Sequence, residues 1–216
     1  MSGHRVRTLA RVFADVEAGR LPPADGSLHV VPPPSSHTSA VVGFTAHIVV
    51  AADVDPDWVD SLVPAGDLSA PLNPPFLSAL CARLDRRINA IDMVTLATPL
   101  GGEPPLPLER LDDADHPRVR RAHRYRDDVR VWSVEGGVLI LGRGLAGRWE
   151  AAFEVDPAHR GRGLGRALAM SARHLVGSDA VAVWAQVTPG NAASVRALLA
   201  AGYRPVGSEA LLTPAR

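Results

Sequence analysis

Apolar residues recur along this chain at two different periods, and the changes of period divide it into elements. Val6, Leu9, Val12, Phe13 and Val16 fall at helical spacing, with Gly19 placed to close a helix that runs to about Ala18. Pro22, Pro23 and the prolines at 32–34 punctuate an extended stretch over 28–31. Residues 40–52, AVVGFTAHIVVAA, are rich in β-branched side chains and predict one strand. Helices are predicted over 57–63 and 75–89, and a further strand over 90–97. The run 99–107 is rich in Pro and Gly and is the expected internal boundary, giving an N-terminal region of 1–108 and a core of 109–216.

After that boundary the pattern sharpens. Residues 115–125 predict a helix and 128–134 a strand. Gly136 and Gly137 are a hairpin signal, followed by strand residues 138–141 and a third strand over 148–155. A glycine-rich turn then opens a helix to about Val176, with Leu164, Leu168, Ala172 and Leu175 facing inward. Val181, Val183, Ala185 and Val187 alternate along a strand. Asn191 caps a last helix with the apolar stripe Val195, Leu198 and Leu199, closed by Gly202. The order β-β-β-α-β-α-β is that of an α/β protein, a hairpin-rich sheet with helices packed on it. No fixed-period repeat is present.

Composition narrows the function classes. At 216 residues and 46% hydrophobic, the chain can bury one full core and part of a second, and it is not disordered. Lys+Arg and Asp+Glu balance at 23 each, so no net field draws it to nucleic acid or membrane. All the cations are Arg, which with the abundant Ala, Gly and Pro points to GC-rich coding such as an actinobacterium's. The single cysteine, Cys81, excludes an internal disulfide and a cysteine zinc site, and its context LSALCARL predicts a buried thiol. The eight histidines have no metal-ligand spacing, so no metal is expected. No run of about 18 apolar residues and no secretory leader is present, which predicts a cytoplasmic protein that spans no membrane. His116, Arg118, Arg120, Arg121, His123, Arg124 and Arg126 form a basic cluster. Asp112, Asp113, Asp115, Asp127 and Asp128 partly offset it, so a solvated face is expected rather than a site for RNA, a peptide's carboxylates or a ligand phosphate.

The turn VDPAHRGRGLGR, residues 155–166, carries the chemistry. A strand ends, glycines allow a tight turn, and a helix begins, so several backbone N–H groups without intrahelical partners point at one spot. An anion there also meets the positive end of the helix dipole, worth about 0.3–1 kcal/mol per charge. Arg160, Arg162 and Arg166 can add charge-assisted bonds, so the turn reads as a phosphate or pyrophosphate site. A second glycine pattern, Gly142, Gly144 and Gly147, fits the dinucleotide fingerprint, but a strand rather than a helix follows it, and a hairpin connection is expected.

The turn resembles the pyrophosphate loop of the GNAT acyltransferases, written Gln/Arg-x-x-Gly-x-Gly/Ala and matched by Arg160, Gly163 and Gly165, with Val155 and Pro157 at the preceding strand end. Their second pattern, a strand, Asn-x-x-Ser, a helix and Gly-Phe, is matched by Asn191, Ser194, Gly202 and Tyr203. The resemblance covers about 127–208. It implies the GNAT fold, a mixed and mostly antiparallel central sheet flanked by helices, and acetyl-CoA or another acyl-CoA as cosubstrate. Phe153, Glu154 and Val155 would pair with the pantetheine arm like an added strand, and an N–H near Val155 would hold the thioester oxygen. Gly161, Arg162, Gly163, Leu164, Gly165 and Arg166 would cradle the pyrophosphate beside Arg160. Asn191 would bond the pantetheine as well as cap its helix.

The family's usual base and acid positions hold Gln186 and Leu198, which cannot exchange a proton. Freeing an amine of pKa about 10.4 at pH 7 costs about 4–5 kcal/mol, against about 1 kcal/mol for an α-amino group. A missing base therefore matters most for lysine-like acceptors. On strand 148–155, Arg148, Glu150, Ala152 and Glu154 share one face and Trp149, Ala151, Phe153 and Val155 the other, unless a bulge swaps them. Glu150 is the expected substitute base; the competing reading pairs it with Arg148 or a neighbouring cation. The function expected is N-acyl transfer from acetyl-CoA to a small-molecule or peptide amine by direct attack. The alternative is an acyl-CoA sensor or assembly module without turnover. The N-terminal region, an enlarged start of the fold or a degenerate second copy, is expected on the acceptor side. Oligomeric state and acyl-chain length carry no sequence signal.

Overall fold

The structure, a computed structural model, describes residues 8–111 and 117–215. The early positions Val6 and those at 112–116, including His116 and three of the aspartates above, lie outside the described residues. The chain divides into two compact units, 1–93 with 206–216, and 94–205.

In the first unit, α1 (Leu9–Glu17) is capped by the Thr8 hydroxyl, which accepts from Arg11 N–H, and buries Leu9, Val12, Phe13 and Val16 as its 3–4 spacing dictates. It precedes β1 (Ser27–Val31), β2 (Ser39–Phe44) and β3 (His47–Ala51). The single strand expected over 40–52 is thus a hairpin. Thr45 and Ala46 form the turn, with Ala46 at φ +49°, a left-handed conformation that an alanine does not advertise. Two short helices follow, α2 (Pro56–Leu62), capped by Asp55, and α3 (Pro74–Leu84). The helix expected to reach residue 89 stops at Asp85, φ +51°, and β4 (Arg86–Ala97) begins at once.

The last strand, β10 (Arg204–Pro214), returns to this unit and pairs antiparallel with β2, Glu209 opposite Val42. The order β1-β3-β2-β10 has β1 parallel to β3 and the rest antiparallel. Val41, Ile48, Val50, Ala210 and Leu212 from the strands meet Val59, Phe76, Leu77 and Leu80 from the helices in one apolar cluster.

The second unit contains the end of β4, then β5 (Glu109–Arg110), α4 (Pro117–His123), β6 (Asp127–Val134), β7 (Gly137–Arg143), β8 (Trp149–Val155), α5 (Leu164–Leu175), β9 (Val183–Val187) and α6 (Ala192–Ala200). The expected order of strands and helices holds, with the two-residue β5 added. Strands run β9-β8-β7-β6-β5, antiparallel except for the parallel β8/β9 pair. The mixed, mostly antiparallel fold class read from the sequence is therefore the observed one. Register between β7 and β8 is unbroken from Gly137↔Val155 to Arg143↔Trp149, so no bulge swaps the faces of β8. Val119 and Ala122 of α4 cluster with Val131, Ile140 and Ala152 on one face, while α5 packs on β7 and β8 with Gly165 beside Phe153 and Val155 on the other. No helix among the described residues is long and apolar enough to cross a membrane.

Leu80 is fully buried at the centre of the first unit's cluster. Leu80→Ala is expected to cost about 2–5 kcal/mol of stability, read as a lowered denaturant midpoint with an unchanged slope.

Candidate functional site

The second unit's cleft begins where two strands part. β8 and β9 pair at Glu150↔Trp184, and among the described residues no further pair joins them. The C-terminal half of β8 keeps its bonds to β7 on one edge and presents the other edge, at Phe153, Glu154 and Val155, to an open cleft. Such an edge offers main-chain donors and acceptors in the geometry of a missing strand.

The cleft, about 560 Å³, is closed below by α5 and α6. Gly163, the residue before α5, sits at φ +86°, where a side chain would strain the backbone, and this turn aims the first N–H groups of the helix into the cleft. Thr8, Asp55 and Asn191 cap α1, α2 and α6 with their side chains. The α5 N-terminus has no side-chain cap and no acidic residue in its first turn. Its orphan N–H groups and the positive end of its dipole are left for a ligand.

The structure brings Phe153, Glu154, Val155, Arg160, Gly161, Gly163, Leu164, Gly165, Arg166 and Asn191 together around this one cleft. Arg162 is exposed and is not part of the lining. Arg160 donates from Nε to the Val155 carbonyl (3.1 Å), which holds its guanidinium at the strand end. Asn191 accepts from the Ser194 N–H (3.2 Å) while also lining the cleft, so the cap and the ligand-facing position coincide.

Sequence reasoning missed His159, Ala193, Arg196, Ala197 and Ala200, which also line it. The α6 residues were legible in principle. Positions 193, 196, 197 and 200 make one helical face of small side chains with a single cation, opposite the apolar stripe.

Glu150 lies outside the cleft lining, on the face of β8 away from α5, buried at 5% exposure. Its carboxylate is the hub of a polar cluster. Oε1 accepts from Arg148 Nε (3.0 Å), Leu145 N–H (3.2 Å) and Gln186 Nε2 (2.7 Å); Oε2 accepts from Arg126 Nε (3.0 Å) and pairs with its Nη2 (3.0 Å). Gly144 backs directly onto this carboxyl, where a Cβ would collide with it. Burial alone would raise the pKa of Glu150. The Arg148 and Arg126 charges, with the bonds from Arg148 and Leu145, outweigh that and hold it below the ordinary carboxylate value. A carboxylate with both oxygens so occupied is a weak proton acceptor. The geometry thus realises the competing expectation, the pairing with Arg148, together with Arg126. Arg148 also lies over Trp184, guanidinium to ring 5.0 Å, where the two strands meet. Tyr203 is buried, its hydroxyl donating to the Ala169 carbonyl (3.3 Å), and burial pushes its pKa up.

Residues 111–203 match the model of the acetyltransferase (GNAT) family. No curated protein matches the chain. Among solved structures it is similar to a GCN5-related N-acetyltransferase from Kribbella flavida, at 17% identity and a TM-score of 0.42, the match covering 66% of this chain and 65% of that one. It is also similar to a putative acetyltransferase from the GNAT family from Novosphingobium aromaticivorans, at 16% identity and a TM-score of 0.36, over 61% and 69% of the two chains.

Replacing Glu150 by Gln removes the anion between two arginines, one of them (Arg148) with a side chain only 1% exposed. The expected loss of stability is about 3–5 kcal/mol, measured by denaturant unfolding. Because the native pKa is depressed, the stability Glu150 contributes is complete above its ordinary value of 4.5 and is lost as pH falls below that. A Glu150→Gln protein of unchanged stability would mean that the cluster is not structural.

Proposed function

Starting from residues 111–203 as a domain of the acetyltransferase (GNAT) family, we propose that this chain binds an acyl-CoA, acetyl-CoA in the first instance, in the cleft between β8, α5 and α6 and transfers its acyl group to an amine. One observation carries the reading: a helix N-terminus without a side-chain cap and the part of the β8 edge that β9 does not cover open into the same cleft. A ligand with a pyrophosphate joined to an extended amide-bearing arm suits both halves at once. The α5 N–H groups, with Arg160 and Arg166, suit the pyrophosphate; the β8 edge at Phe153, Glu154 and Val155 suits the arm, with Asn191 beside it.

The chemistry that follows is direct attack. The amine nitrogen forms a bond to the thioester carbon, the C–S bond then breaks, and the thiol leaves as thiolate. A backbone N–H near Val155 stabilises the oxyanion between these events. Thiolate departure at neutral pH costs about 2 kcal/mol if the thiol resembles cysteine, so the absence of an acid at Leu198 is tolerable. We assign Glu150 a positioning role, anchoring Gln186 and the strand junction, and the amine's proton passes to water. Acceptors of low basicity are favoured on this account. The saturated Glu150 carboxylate supports one further reading, an acyl-CoA-binding module without turnover, which consumption of the thioester across an amine panel would exclude.

Calorimetric titration with acetyl-CoA tests the binding half. The natural protein is expected to bind saturably. In Gly165→Asp the new Cβ meets Ala197 and Phe153 at an ordinary 3.6 Å, and a carboxylate in a first turn favours the helix. That variant keeps its thermal stability yet repels an anionic ligand, weakening binding about tenfold or more. Absence of acetyl-CoA binding by the natural protein would overturn the proposal.

For the catalytic half, kcat/KM is expected to rise with pH following the acceptor's own pKa, with no limb from an enzymic carboxylate. An α-amino acceptor is about several-hundred-fold more abundant in its free form at pH 7 than a lysine-like one, and should be used correspondingly faster. Equal rates for both at pH 7 would require a strong enzymic base and would reverse the assignment of Glu150.

A further inference from the structure

Within the cleft, cationic side chains come from two different walls. Arg160 and Arg166 belong to the loop and first turn of α5, beside the orphan N–H groups. Arg196 comes from α6, where it shares the cleft-facing stripe with Ala193, Ala197 and Ala200. The three alanines form a low, smooth wall, and the one long side chain on it is charged. Gly165 approaches Ala197 across the floor, where a Cβ would lie 3.6 Å from the Ala197 methyl, so at that point nothing bulkier stands between the two walls. Arg160 is already bonded to the Val155 carbonyl. Arg196 is exposed and has no hydrogen bond or ion pair among the described residues.

The charges can be matched to the ligand. Two arginines and a helix N-terminus suffice for the two charges of a pyrophosphate. A third cation, on the facing wall, then suits a further anionic group of the same ligand. An acyl-CoA carries one such group, the phosphate on the 3′-oxygen of its ribose. We infer that Arg196 recognises the 3′-phosphate of the acyl-CoA, so that this chain distinguishes acyl-CoA from its 3′-dephospho form. The inference rests on the acyl-CoA reading above and names the part of that ligand read by α6. Arg196 acts in specificity and takes no part in the acyl transfer.

The test compares two ligands, acetyl-CoA and acetyl-3′-dephospho-CoA, on three proteins at low salt. The natural protein is expected to bind acetyl-CoA about tenfold or more tightly than the dephospho form, the range of a charge-assisted bond. Arg196→Gln is expected to lose that preference, its affinity for acetyl-CoA falling to the dephospho value while its affinity for the dephospho ligand stays unchanged. Arg166→Gln should weaken both ligands alike, since both contain the pyrophosphate. Arg196 is exposed, so its thermal midpoint serves as a check that the fold is intact. Equal weakening of both ligands by Arg196→Gln, as a contact with adenine would give, overturns the inference, as does no weakening of either. A natural protein that binds both ligands equally also overturns it but leaves the acyl-CoA reading standing; one that binds neither removes that reading itself.

Discussion

The junction at which β8 and β9 meet once and then part is held by a buried carboxylate, and the cleft depends on that junction. Glu150 stands opposite Trp184 in the ladder and takes hydrogen bonds from Arg148 on its own strand, Gln186 on β9, Arg126 ahead of β6 and the Leu145 N–H of the β7–β8 connection. Four chain segments converge on one charge. A buried ion cluster of this kind does not have to add net stability relative to an apolar core. Its effect here is geometrical: it holds the strands together at one level, and beyond it β8 has no β9 partner.

The same cluster divides the labour of β8 between its two faces. Side chains at 148 and 150 are committed to holding the strands. Those at 153 and 155 support the cleft with α5, on the stretch of β8 that β9 does not cover. On the proposed acyl transfer, this division accounts for a chain with Gln186 and Leu198 where the family resemblance leads one to expect a base and an acid. In that proposal, orientation and oxyanion contacts fall to the backbone, and they require no titrating side chain. What such a site gives up is help in deprotonating a strongly basic acceptor.

The C-terminal architecture was legible because each of its signals is local. The Gly136-Gly137 hairpin, the alternation along 148–155, the turn through Gly163 and the cap at Asn191 are set by conformational preferences within a few residues. The N-terminal half was read less well. Ala46 turns a chain that looks like one continuous strand, and Asp85 ends a helix four residues before its pattern fades. Both adopt positive φ without glycine, so the residue that usually marks such a turn is missing from the sequence. The return of β10 to pair with β2 is likewise non-local, set by a register between residues some 170 positions apart, such as Val42 and Glu209.

By itself the sequence determined the fold class, the glycine turn that opens α5, and which of its neighbours (Phe153, Glu154, Val155, Arg160, Gly161 and Gly163 to Arg166, with Asn191) share one cleft, because glycine placement and periodicity act at short range. Tertiary structure alone decided that Glu150 is enclosed by Arg126, Arg148 and Gln186, that Arg162 is left out of the cleft lining, and that Arg196 joins the cleft from another helix. A carboxylate's basicity and an arginine's partner depend on what is brought within about 3 Å, and those neighbours come from segments far apart along the chain.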